Sequence, residues 1–107
     1  GVAGARARTA DQVRADGAHL DALADAVNDP LAVSTLEALA PVLRSRVLRR
    51  TALAAGADPS ALSAAHLAEL DRLVTDWHGQ LRIELPGGVA CVRVGDSLAF
   101  VTTPVGG

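Results

Sequence analysis

The chain has 107 residues, 10 of them arginine and none lysine, against 12 acids, for a formal charge of −2. That is one domain with a modest core; with one Trp, one Phe and no Tyr or Met, the core falls to Leu, Val and Ala, which favours closely packed helices. No apolar run approaches the ~20 residues that span a bilayer, the N-terminus lacks the apolar segment of a signal peptide, and the lone Cys91 excludes an internal disulfide, so the expected setting is soluble, reducing and cytoplasmic.

Gly1 to Arg8 reads as a frayed lead-in. Thr9 is a candidate N-cap, with Asp11 and Gln12 in the first turn where acids and capping amides are favoured. Val13, Gly17, Leu20, Ala24 and Val27 then share one face, which predicts a helix over about residues 9–27. Its polar side is acidic: Asp16, Asp21 and Asp25. Gly17 in mid-helix costs about 1 kcal/mol relative to alanine, so close approach of another helix is its expected use. Asn28-Asp29-Pro30 ends the element. Ser34-Thr-Leu-Glu37 fits a capping box and predicts a short helix over about 34–39.

Pro41 to Gly56 is the helix around which the rest is organised. Pro41 suits the first helical position, and Gly56 the left-handed residue just past the end. Leu43, Val47, Thr51 and Ala54 share a face widened by Leu48 and Ala55, giving a helix over about 41–55. Charge is uneven along the chain: net −3 over residues 1–40, +4 over 41–57 and −3 over 58–107. The basic segment holds Arg44, Arg46, Arg49 and Arg50 and no acid. The absence of lysine accompanies abundant alanine, a mark of GC-rich coding, so arginine in place of lysine carries no functional signal.

Ala57-Asp58-Pro59-Ser60 is a turn by composition. Ser63 caps the next helix, predicted over about 64–77, whose apolar stripe is His66, Leu67, Leu70, Leu73, Val74 and Trp77. The period then changes: Leu81, Ile83 and Leu85 alternate with Arg82 and Glu84, as in a strand. Strands are predicted at about 81–85, 89–94 and 98–102, joined by Pro86-Gly87 and by Gly95-Asp96-Ser97. The fold class is therefore α+β, mainly α: a four-helix cluster followed by a small C-terminal antiparallel β-meander, with residues 1–107 as a single accessory domain.

By themselves these residues describe no enzyme active site. His19, His66 and His78 pair with neither Cys91 nor each other at metal-ligand spacing. Gly87-Gly88 follows a strand but opens no helix, so it is no phosphate loop. No G-x-S-x-G is present. What remains is binding. Arg46, Arg49 and Arg50 lie roughly opposite the apolar face on adjacent turns, where guanidinium groups meet successive phosphates of a nucleic-acid backbone. Pairing with acids of neighbouring helices is the competing reading. Trp77-His78 at a helix end suits stacking on an unpaired base, although Trp77 continues the stripe and is first expected in the core.

Three stretches together resemble the region that follows the catalytic domain in bacterial tRNA(Ile)-lysidine synthases of the high-GC type. They are Ala7-Arg-Thr-Ala…Arg14-Ala-Asp16…Leu20-Asp-Ala-Leu-Ala24; Leu39-Ala-Pro-Val-Leu-Arg44-Ser-Arg46-Val-Leu-Arg49-Arg50; and Leu73-Val-Thr-Asp76-Trp77-His78-Gly79-Gln80 with Leu85-Pro-Gly-Gly-Val89. The likeness runs from about Ala7 to Phe100. It implies a parent enzyme that ligates lysine to the wobble cytidine of a minor isoleucine tRNA, using ATP and Mg. Family catalysis sits in an N-terminal adenylating domain with a Ser-Gly-Gly-x-Asp-Ser loop, which this chain lacks. Gly95-Asp96-Ser97 is no substitute, since it lies in a strand turn. The resemblance thus implies a tRNA-recognition domain with no catalytic residue, no metal and no cofactor of its own, whose partners are tRNA(Ile) and the catalytic domain of the same protein. Arg46, Arg49 and Arg50 are the expected phosphate contacts, with Arg44 and His78 behind them. The alternative is a scaffold, or a module for a homodimer, that docks through the acidic first helix without touching RNA.

Overall fold

The computed structural model describes residues 10–79 and 82–102. Within them the order is α1 (Ala10–Asp25), α2 (Val33–Glu37), α3 (Pro41–Ala54), α4 (Ala64–Thr75), β1 (Ile83–Leu85), β2 (Val89–Val94) and β3 (Ser97–Thr102). The strands form one antiparallel sheet in the order β1-β2-β3. This is the expected α+β arrangement, helices first and meander last. The expected cap at Thr9 and the strand residue Leu81 lie outside the described residues.

Local chemistry accounts for the ends of α3. Pro41 occupies its first turn. At the other end Gly56 has φ of 112°, its N–H donates to Leu53 O, and the Ala57 N–H donates to Ala52 O. That pair of bonds is a Schellman motif, which uses two of the helix's orphan carbonyls. Ser63 caps α4: its hydroxyl accepts from the His66 N–H at 3.4 Å, and His66 Nδ1 accepts from the Ser63 N–H at 3.0 Å. His66 therefore performs the task a glutamate has in the usual capping box, rather than filling the apolar stripe.

Two helix boundaries differ from expectation for tertiary reasons. Ser34 does not cap α2; Ala32 occupies the cap position, with no side-chain bond. The chain enters α2 from an extended bridge to the sheet, Ala32 opposite Ser97. There the Val33 N–H donates to Asp96 O and the Leu98 N–H to Leu31 O. The sheet edge thus does what the serine was expected to do. In α4 the helix stops at Thr75, two residues short of the expected end. Arg93 Nη1 reaches in from β2 to the carbonyls of Leu73 and Val74, at 2.9 and 3.4 Å. These are the carbonyls that would accept from the Trp77 and His78 N–H groups if the helix continued.

The core is aliphatic, as composition required. Leu36, Leu48, Leu70, Leu73, Val33, Val47, Val89 and Cys91 are its largest fully buried side chains. All the helices and the inner face of the sheet contribute to it. Trp77 is not in it: it is 40% exposed, because the early end of α4 takes it off the stripe. Burial pushes the Cys91 thiol up to about 12, since an apolar setting penalises the thiolate.

Close approach of backbone is found at Gly87 rather than Gly17. The β1–β2 connection, Pro86 to Gly88, rests on the α3–α4 connection, where the Asp58 N–H donates to Pro86 O at 3.0 Å. A Cβ on Gly87, whose φ is 96°, would stand 2.8 Å from Gly56 O and 2.9 Å from Asp58 N. At Gly17 the nearest atom to such a Cβ is Arg46 Nη2, at 3.9 Å, which is ordinary contact.

Candidate nucleic-acid interface

An α-helix turns about 100° per residue, so the four arginines of α3 cannot all face one way. Arg44 points to α4. It is only 8% exposed; its Nε donates to Asp71 Oδ1 at 2.5 Å and its Nη1 to Leu39 O at 3.1 Å. This side chain ties the corner between α2 and α3 to α4, away from the other three.

Arg46 and Arg50 point toward α1. Arg46 Nη1 donates to Asp21 Oδ1 at 2.9 Å. Arg50 bonds Asp25 through Nη2 and lies 3.8 Å from Asp21 through Nη1. These ion pairs are solvated, with Asp21 and Asp25 side chains 54% and 67% exposed. Exposed pairs contribute only about 0–1 kcal/mol, so a stronger polyanion can displace them. Arg46 Nε is shielded from solvent with no hydrogen-bond partner among the described residues, which leaves that guanidinium only partly satisfied.

Arg49 lies between these two directions and has no carboxylate partner among the described residues. It is one turn beyond Ser45 and so shares its face. Ser45 and Pro41 form one wall of a shallow cleft of about 400 Å³; Leu67, Ala68, Asp71 and Arg72 of α4 form the other. Arg49 is therefore half-buried beside this cleft, and the exposed Arg72 stands on its far rim.

His78 lies apart from these, past the end of α4, with Nε2 2.7 Å from Asp76 Oδ1. Its neighbour Trp77 lies over Arg93, whose Cζ is 4.6 Å from the ring centroid. Arg93 was not singled out from sequence. The available signal was its register: Val89, Cys91 and Arg93 alternate onto the inner face of β2, and an arginine at an inward position calls for a partner.

The paired glycines Gly87 and Gly88 sit in the β1–β2 hairpin, Gly87 close against Gly56 and Asp58, and no helix follows them among the described residues. Among the described residues, no three His, Cys, Asp or Glu side chains come together as a metal site. Nor is any helix there long and apolar enough to cross a membrane.

Residues 31–98 match the family model described as the TilS substrate binding domain. The chain belongs to the TilS substrate binding domain family. The match begins just before α2 and ends in β3, so it takes in α3 with its arginines and leaves out α1 with Asp21 and Asp25. Curated proteins named tRNA(Ile)-lysidine synthase are similar over most of the chain. That of Streptomyces coelicolor is 46% identical over 94% of the chain and 30% of its own length. That of Thermobifida fusca is 46% identical over 81% of the chain and 29% of its own length. That of Salinispora tropica is 46% identical over 81% of the chain and 28% of its own length. The chain thus spans less than a third of the relatives it matches. No solved structure matches it.

Proposed function

We propose that this TilS substrate binding domain holds tRNA(Ile) for a tRNA(Ile)-lysidine synthase. Lysine is then joined to the wobble cytidine elsewhere in the same cytoplasmic protein, in an N-terminal catalytic domain that uses ATP and Mg. The observation that carries this reading is the family match over residues 31–98, which encloses the basic helix α3. In this reading Arg49 contacts phosphate directly. Arg46 and Arg50 do so by exchanging Asp21 and Asp25 for phosphate oxygens, an exchange their exposure permits. Arg44 holds the helices together, and His78 stands at a second place, beyond α4. The acids that occupy Arg46 and Arg50 come from α1, outside the family match, which supports treating their pairing as replaceable.

Docking through α1 has less in its favour. The C-terminal end of that face is used inside the chain: Ala24 of α1 is buried in the core, and Val27, just past the helix, packs against it.

Salt-dependent binding of tRNA(Ile) tests the reading. Arg49→Ala with Arg50→Ala is expected to weaken binding, each lost contact lowering the log–log salt slope by roughly 0.7–0.9, with the melting temperature nearly unchanged. Asp21→Asn with Asp25→Asn is expected to tighten binding. If both double variants bind as the wild type does, the arginines are structural and this assignment fails.

A further inference from the structure

The chain's single tryptophan stands where the core does not need it. Trp77 follows the last turn of α4, is 40% exposed and is not part of the core cluster. An exposed indole forgoes the burial that makes tryptophan worth having in a fold. Yet its position is not loose, because a fixed cation lies against the ring at 4.6 Å from the centroid. Arg93 is held by four contacts: Nε to Gly95 O at 2.8 Å, Nη1 to Leu73 O at 2.9 Å and to Val74 O at 3.4 Å, and Nη2 to Asp96 Oδ1 at 3.9 Å. Its side chain is 13% exposed. The guanidinium is therefore a rigid seat that belongs both to the end of α4 and to the β2–β3 hairpin.

An aromatic ring seated on a fixed cation loses little freedom when a flat partner stacks on its open area. The flat partner that an RNA offers is a base not already stacked in a duplex, since every base has a π-face. We propose that Trp77, seated on Arg93, is a stacking platform for an unpaired nucleobase. This rests on the reading of the domain as RNA-binding. It adds a site beyond the end of α4, built from different residues than the phosphate contacts of α3, and one that recognises strand state rather than charge.

Because Trp77 is the only tryptophan, its fluorescence reports on this site alone in the 107-residue chain. Titration with a short single-stranded oligoadenylate is expected to quench it to saturation, while an RNA duplex of equal length leaves it nearly unchanged. Trp77→Ala is expected to weaken oligoadenylate binding about tenfold, within the range that base–aromatic stacking supplies. Trp77→Phe should retain most of the affinity, and neither variant should alter the salt slope for tRNA(Ile). Absence of quenching in the wild type, equal quenching by the duplex, or wild-type oligoadenylate affinity in Trp77→Ala overturns the proposal. Should Trp77→Ala fold poorly, the wild-type titration and Trp77→Phe decide. If tRNA(Ile) binds with its expected salt slope while oligoadenylate leaves the fluorescence unchanged, the platform falls alone. If no RNA binds at all, the proposed function falls with it.

Discussion

Replacing Arg44 by alanine should unfasten the corner between α2 and α3 from α4. The change deletes two hydrogen bonds, one to the Asp71 carboxylate and one to the Leu39 carbonyl. A hydrogen bond involving a charged group contributes about 1.5–3 kcal/mol when buried. Asp71 is 35% exposed, and Thr75 Oγ1 still donates to its Oδ2 at 3.3 Å, so water and Thr75 recover part of the loss. The aliphatic stem adds about 1 kcal/mol of lost packing, because at 8% exposure it too is buried. The expected destabilisation is about 2–3 kcal/mol. For a domain of this size that lowers the melting temperature by about 10–20 °C. Urea unfolding followed by circular dichroism measures it, with the midpoint falling and the slope m unchanged. Affinity for tRNA(Ile), taken well below the melting temperature, should hardly change. A variant with wild-type stability and reduced RNA affinity would refute the reasoning, since Arg44 would then face the ligand and not Asp71.

Two further outcomes follow from the hairpins and the core. Gly87→Ala should cost at least about 2 kcal/mol in urea unfolding, because it adds a strained left-handed residue and a backbone clash; Gly95→Ala, with φ of 60° and nothing within 4 Å, should cost only about 1 kcal/mol. Cys91, its thiol pushed up to about 12, should resist thiol reagents near pH ~8.5, the ordinary thiol value, until the chain unfolds. The sign follows from linkage: the native state holds this proton more tightly than the unfolded chain, so stability is complete below about 8.5 and declines as pH rises above it. Rapid labelling of the native protein at that pH would contradict the burial of β2.

Features carried by neighbouring residues were legible in the sequence itself. Pro41 and Gly56 bracket α3, Ser63 caps α4, the period shift near Ile83 starts the sheet, and scarce aromatics force an aliphatic core. Each rests on chemistry that acts within a few positions along the chain. What only the tertiary structure decided was which charge meets which. Arg44 and Asp71 are 27 positions apart, and Arg46 and Asp21 are 25 apart. Composition supplies enough acids to pair with any arginine, and the helical turn alone does not say which neighbour lies on which side. The same holds for the start of α2, satisfied by the sheet and not by Ser34, and for Trp77, turned out of the core because Arg93 from β2 takes the carbonyls that α4 needed to continue. Long-range partners are set by how faces stack, and stacking is a property of the assembled core.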